Sequence, residues 1–390
     1  MTPAARVQAA IEVLERIEGG MPAEKALLGW ARSSRFAGSG DRAAVRDHVF
    51  DALRCWRSYA ALGGAATGRG RMLGALRARG DAPEAHFDGA RHSPATITAQ
   101  ERAHLAAPVT MPQTVALDCP DWLAPELCRS LGADFVPVME ALRRRAPVHL
   151  RANLLKCDRE AALAALQAED IAARPSPIAG TAIEVAGNPR RLRRTRAFTE
   201  GLVELQDAAS QAVVEALRLA PGQRVLDYCA GGGGKALAMA ARIGGRVHAH
   251  DADAHRMADL PGRAARAGAR IERLDAAMLE RQPPFDLVLV DAPCSGSGSW
   301  RRTPEAKWRL TPERLRQLHE LQHSILLRAA GLVAPGGWLA YATCSLLETE
   351  NESAIARFRQ AAPGWNCAAQ RRWSPSEGAD GFFLAVMTPV

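Results

Sequence analysis

Apolar residues recur at helical spacing from Ala4 to about Leu62, first as Val7, Ala10, Ile11 and Leu14 and later as Phe50, Leu53 and Trp56. The pattern predicts an all-helical unit, with Gly19 and Gly20 closing its first helix. A Gly- and Arg-rich stretch, GGAATGRGR at 63–71, interrupts it, and helical character then continues unevenly to a turn-rich segment from Pro108 to Pro112. A first boundary is expected there. Between Pro120 and about Thr199 the pattern changes. PDWLAPELCRSLG reads as a helix with an Asp at its start, VHLRANLL as a strand, REAALAALQAE as a helix, and IAARPSPI and AIEVAG as short strands. This α/β segment is too small for a Rossmann unit, and it ends in a basic run, PRRLRRTR at 189–196, whose bland reading is a solvated loop. From about Gln206 strands and helices alternate. RVLDYCA, RVHAHDA, RIERLDA, FDLVLVDAP and WLAYATCS read as strands of a parallel sheet covered on both faces. No repeat of solenoid period is present.

Length agrees with this division, since 390 residues and 41.8 kDa suffice for several cores. With 47% hydrophobic and 24% charged residues the chain is globular rather than disordered or fibrous. A net charge of +8 and a pI near 9.4 favour a polyanionic partner. The eight cysteines lack a CxxC spacing, which argues against a zinc site or a disulfide framework. The N-terminus has no basic leader or continuous apolar core, and no apolar stretch approaches ~20 residues. A reducing, cytoplasmic setting is expected, with no membrane, no metal, and a monomer by default.

Candidate chemistry begins at VLDYCAGGGGKALAMAARIG, where a strand, the glycines Gly231, Gly232, Gly233 and Gly234, and an Ala-rich helix follow one another. Glycine admits a sharp turn and close approach to a ligand, and a helix N-terminus offers free N–H donors. A tight turn without a ligand is the equal alternative until Asp251 is added, one strand later, where a carboxylate can accept ribose hydroxyls. A phosphate-binding Walker loop is disfavoured, because Cys229 stands where its first glycine is required and Ala236 replaces the Ser or Thr. Asp275, at the end of the third strand, is a candidate for adenine-edge contact or, more simply, a turn-capping residue.

FDLVLVDAPCSGSGSW and WLAYATCSLLETENE each end a strand and then present a cysteine, Cys294 and Cys344. Ligands bind beyond the carboxyl ends of parallel strands, so both thiols are expected at the crevice of the glycine loop. Cys55, Cys119, Cys128, Cys157, Cys229 and Cys367 are read as small buried hydrophobes. Paired thiols suit one chemistry well. Carbon 5 of a pyrimidine is a poor nucleophile, but thiolate addition at carbon 6 creates an enamine that can attack the methyl of S-adenosylmethionine. A carboxylate such as Asp291, three residues before Cys294, would stabilise the adduct, and a second thiol could share the release step.

These residues resemble the RNA (cytosine-5)-methyltransferase family typified by the bacterial RsmB (Sun) proteins. The family's DxCAAPGGKT is matched by DYCAGGGGKA from Asp227 to Ala236, its DAPCSG by Asp291–Gly296, and its TCS by Thr343–Ser345. The segment RTPEAKWRLTPERLRQLHELQHSILLRAAGLVAPGG and the final strand DGFFLA are similar too. The resemblance implies an α/β protein: an N-terminal helical NusB-like RNA-binding domain at 1–112, a small RRM-like RNA-binding subdomain at 113–200, and a Rossmann-like class I methyltransferase domain at 201–390. It implies Cys344 as nucleophile, Cys294 as the thiol assisting release, and Asp291 against the cytosine. Cys229, Ala230, the four glycines and Lys235 would wrap the methionine end of S-adenosylmethionine. Asp251 and Asp275 would take its ribose and adenine, with Arg256 and Asp291 in the same cofactor set. Small-subunit ribosomal RNA is the first substrate expected and transfer RNA the second. Gly231 and Gly232 replace the family's Ala-Pro and Ala236 its Thr, which is expected to weaken cofactor affinity without abolishing activity. A DNA cytosine methyltransferase lacks the second strand-end cysteine. An NAD-dependent dehydrogenase gives no reason for either thiol, and an inactive RNA-binding assembly factor is supported only by the altered loop.

Overall fold

The computed structural model describes residues 1–187 and 189–390, and the chain divides into two compact units. The first comprises Met1–Arg145 with Trp300–Arg309, and the second Ala146–Ser299 with Leu310–Val390.

In the first unit the expected helical periodicity is realised. The helix Pro3–Glu18 starts at Thr2, whose hydroxyl accepts from the Ala5 N–H, and stops at Gly19. Val7, Ala10, Ile11 and Leu14 are buried, as is Leu53, whereas Phe50 and Trp56 only flank the core. The Gly- and Arg-rich stretch is not a loop throughout, because Gly68–Arg79 is a helix packed on Trp56–Gly63. Its glycines permit that packing. A Cβ on Gly63 would lie 1.8 Å from the Gly70 carbonyl oxygen, and one on Gly74 1.9 Å from that of Tyr59. The expected helix after Pro120 forms at Ala124–Leu131, but Asp121 does not cap it and instead takes the Arg57 guanidinium at 2.7 and 2.8 Å. Helices continue past 112 to Leu142, and Trp300–Arg309, expected in the methyltransferase domain, belongs to this unit.

The second unit holds two sheets. The smaller comprises β1 (Val148–Ala152), β2 (Ala173–Pro175), β3 (Ala182–Val185) and β4 (Val203–Leu205), antiparallel in the order β2-β3-β1-β4. The sequence boundary at 200 excluded β4, which is too short to show a period. In the basic run the exposed arginines flank buried Leu192 and Thr195, so the expected solvated segment is anchored from beneath.

The larger sheet comprises β5 (Val225–Asp227), β6 (Arg246–Ala249), β7 (Arg270–Arg273), β8 (Phe285–Asp291), β9 (Val333–Thr343), β10 (Trp365–Trp373) and β11 (Phe382–Pro389). Its order is β10-β11-β9-β8-β5-β6-β7, with β5–β9 parallel and the β10–β11 hairpin antiparallel. Chain order reverses between β5 and β8, which opens a crevice at their carboxyl ends. Two apolar layers cover the faces: Val213, Leu237 and Met239 on one, Leu326, Ile355 and Phe358 on the other. Such a two-sided core explains why β8 reads as FDLVLV with no alternation.

Candidate active site

The glycine loop leaves β5 at Asp227 and enters the helix Gly234–Ile243. Gly231 and Gly233 sit at φ +50° and +78°, a region that penalises any side chain. Space is short as well, since a Cβ at Gly233 would come 2.2 Å from Leu260 Cδ1. The loop is tied to β6, where Asp251 accepts the Gly231 N–H at 2.9 Å and the Asp253 N–H at 3.0 Å. Arg256 lies 3.3 Å from the same carboxylate.

Beyond the ends of these strands opens a cavity of about 1040 Å³. Cys229, Asp251, Arg256 and Asp275 line it, with Met278 and Ile325 among its apolar walls. Asp275 also caps the short helix Ala276–Glu280 by accepting the Met278 N–H at 2.7 Å, so both readings of this residue hold geometrically. Tyr228 and Arg328 line the cavity too. Neither stood out in the sequence, because no motif marks them.

Lys235 is placed differently from expectation. It is buried rather than part of the described cavity lining, and its Nζ donates to Asp291 Oδ2 at 2.7 Å. Burial alone would lower the ammonium's pKa, but the charges of Asp291 and Asp227 outweigh it and the pKa is raised. Asp227 lies beneath, fully enclosed, where the Ala236 backbone N–H and the Lys235 charge only partly offset its burial. Burial, then the nearby Asp291 charge, lifts it from the ordinary 3.8 to about 7.

The two strand-end cysteines come together. Cys294 Sγ and Cys344 Sγ are 3.5 Å apart, one after β8 and one after the adjacent β9. The hydrogen bond to Cys344, burial, and the charges of Cys344 and Glu350 hold the Cys294 thiol well above its usual range. Of the other six cysteines only Cys55 and Cys119 are fully buried, while Cys128 is exposed, so the small-hydrophobe reading fails there. Burial also pushes the Cys229 thiol strongly up, leaving it neutral at the cavity wall. No His, Cys, Asp and Glu cluster among the described residues could hold a metal ion, and none of the described helices is long and apolar enough to cross a membrane.

The sequence matches a family profile described as 16S rRNA methyltransferase RsmB/F over residues 214–387, and the family's ferredoxin-like domain over 119–190. The chain belongs to the RsmB/F family. It is 36% identical over 296 residues to ribosomal RNA small subunit methyltransferase B of Sodalis glossinidius (strain morsitans), a match covering 69% of this chain and 65% of that protein. The chain thus spans 65% of the length of the curated relatives it matches. Among solved structures it is similar to PH0851, with a TM-score of 0.77 at 23% identity over 100% of this chain and 99% of the other. NSun6 from Pyrococcus horikoshii with SFG aligns with a TM-score of 0.61 at 18% identity, covering 70% and 98%. These likenesses show the fold: a helical N-terminal region, a ferredoxin-like domain and a seven-stranded methyltransferase domain.

Proposed function

We propose that this RsmB/F-family chain transfers a methyl group from S-adenosylmethionine to carbon 5 of a cytosine in small-subunit ribosomal RNA, with Cys344 as nucleophile. The observation that carries the reading is the pair of thiols 3.5 Å apart at the carboxyl ends of adjacent parallel strands. The lining of the neighbouring cavity fits the methyl donor chemically. Asp251 and Asp275 offer carboxylates for the ribose and adenine, and Met278 and Ile325 an apolar wall. Bound there, the donor supplies an electrophilic methyl group.

The chain's own residues do the rest. Cys344 adds through sulfur to carbon 6 of the cytosine, which makes carbon 5 electron-rich. Asp291, oriented by Lys235, contacts the ring and stabilises the adduct. Cys294, a thiol 3.5 Å from Cys344, would give its proton to the Cys344 sulfur as the Cys344–carbon bond breaks and, as the thiolate so formed, take the carbon 5 proton. The target base has to leave its stack to meet a thiol in a crevice. We assign that presentation to the helical NusB-like region and the ferredoxin-like domain, consistent with the net charge of +8.

The test is transfer of labelled methyl to protein-free small-subunit ribosomal RNA and, separately, to transfer RNA. Label in ribosomal cytosine that is lost in Cys344→Ala is the expected result. Transfer confined to transfer RNA would replace the substrate, and transfer surviving Cys344→Ala would remove the nucleophile.

A further inference from the structure

Glu350 is fully buried at the end of the short turn Glu348–Glu350, and it belongs to neither the cofactor cavity nor the thiol pair. Its Oε1 accepts from the Ser295 N–H at 2.8 Å and from Gln322 Nε2 at 3.0 Å. Its Oε2 accepts from the hydroxyls of Ser295 and Ser345, each at 2.5 Å. Ser295 and Ser345 are the residues immediately after Cys294 and Cys344. One carboxylate therefore grips both cysteine loops at the residue next to each sulfur.

Its surroundings extend the grip. The Tyr341 hydroxyl, from β9, donates to the Glu350 carbonyl at 2.7 Å, and Ser297 Oγ accepts the Leu346 N–H at 2.8 Å, a second tie between the two loops. Gln322 comes from the helix Pro312–Ala330 and also donates to the Pro293 carbonyl at 2.9 Å, so the carboxylate is held from a third element. Burying a carboxylate costs several kcal/mol unless donors replace its water. Four donors on two oxygens supply that replacement, and all four lose their acceptor if the side chain is made apolar.

We infer that Glu350 is a positioning residue for the thiol pair: by holding Ser295 and Ser345 it sets the separation of Cys294 and Cys344. Glu350 also stands among the groups that raise the Cys294 thiol, after the Cys344 hydrogen bond, burial and Cys344 itself. The other groups facing the pair are the Gly296 backbone N–H, which acts the opposite way on Cys294, Lys235, which interacts with Cys344, and the buried Tyr341 hydroxyl, which interacts with Cys294. None of these three bridges both loops; the uncharged groups that do are the Gly298 N–H, which donates to the Cys344 carbonyl at 3.0 Å, and the Ser297 hydroxyl. The inference rests on the pair being the reacting groups, and it makes Glu350 act through them rather than on RNA or cofactor.

The experiment compares wild type, Glu350→Gln, Glu350→Asp and Ser345→Ala by two readouts. One is methyl transfer, separated into kcat and KM for S-adenosylmethionine; the other is the pH dependence of iodoacetamide alkylation at Cys294 and Cys344, resolved by peptide mass. Glu350→Gln is expected to lower kcat roughly 100-fold, the cost of an ångström-scale misplacement, with KM changed less than about twofold. Cys294 alkylation should begin at lower pH in Glu350→Gln, and Glu350→Asp should recover part of both effects. Ser345→Ala, which keeps the carboxylate and loses one donor, should reduce kcat by about tenfold, the worth of one hydrogen bond to a charged group, with Cys294 alkylation unchanged. A Glu350→Gln protein with wild-type kcat and a superimposable Cys294 profile would overturn the inference. Should that variant fail to fold, wild-type kcat in Ser345→Ala would overturn it instead. A wild type without methyl transfer would sink the functional reading, while the alkylation profiles would still decide the role of Glu350.

Discussion

The loop after β5 and the loops after β8 and β9 meet at one crevice but are built in opposite ways. The first is shaped by missing side chains: Gly231 and Gly233 adopt positive φ, and Leu260 fills the place a Cβ at 233 would need. The other two are shaped by buried polar side chains, with Glu350, Ser295 and Ser345 locking one cysteine loop to the other. Under the proposed function a cofactor enters and leaves past the first loop, which a backbone turn with few obligatory partners suits. Thiols that must react at a fixed separation need a satisfied polar network instead. Between the two styles lie Lys235 and Asp291, one from each side, joined by an ion pair that is partly screened from solvent.

Substitution at Gly233 breaks the glycine side of this comparison most severely. Gly233→Ala places a Cβ at φ +78° and against Leu260, costing about 1–2 kcal/mol for the backbone alone. Repacking against Leu260 adds a further ~1–3 kcal/mol. Thermal unfolding of the apo-protein should fall by several degrees, and calorimetry should find S-adenosylmethionine affinity reduced at least about tenfold. Alkylation of Cys294 and Cys344 should be unaffected, since their loops are held elsewhere.

A smaller effect is expected at Asp227, whose pKa stands at about 7 against an ordinary 3.8. The folded state binds this proton more tightly than the unfolded chain does. Its contribution to stability is therefore complete below about pH 4, declines as pH rises, and is lost above about pH 7. The window corresponds to a few kcal/mol at roughly 1.4 kcal/mol per pH unit. Denaturant titrations at several pH values should show this decline in wild type and a flatter profile in Asp227→Asn; equal slopes would contradict the account.

The smallest effect sharpens the comparison rather than breaking it. Gly232 has no positive φ, and a Cβ there meets only the far end of Arg263, 2.9 Å away. Gly232→Pro, which returns the proline of the family motif, should stabilise the loop by about 0.4–1 kcal/mol through the unfolded state. A modest gain in cofactor affinity or melting temperature is the expected readout, and a loss would mean that the loop needs its glycine freedom.

Much of this was legible in the chain. The five strands β5–β9 announce themselves as apolar runs, and the position of Cys294 and Cys344 at the carboxyl ends of two of them already implies one crevice. What was not legible has physical causes. β10, WNCAAQRRW, is an edge strand exposed over most of its length, so it shows no apolar face. β4 is three residues long, and GGAATGRGR hides a helix because Gly63 and Gly70 serve helix contact while Gly64 takes the turn. The ion pair of Lys235 with Asp291 spans 56 residues, and Glu350 reaches Ser295 across 55. Only folding brings such partners together, whereas the 20 residues from Gly231 to Asp251 follow one strand–helix–strand unit that the sequence itself displays.

The central claim, that Cys344 bonds to the base and Cys294 assists its release, is tested most directly by trapping the protein–RNA adduct. Cys294→Ala, incubated with small-subunit ribosomal RNA and S-adenosylmethionine, should accumulate a denaturant-resistant complex that wild type turns over, and the double variant lacking Cys344 as well should form none. A complex that persists without Cys344, or a Cys294→Ala enzyme that turns over at the wild-type rate with no adduct, would contradict the account.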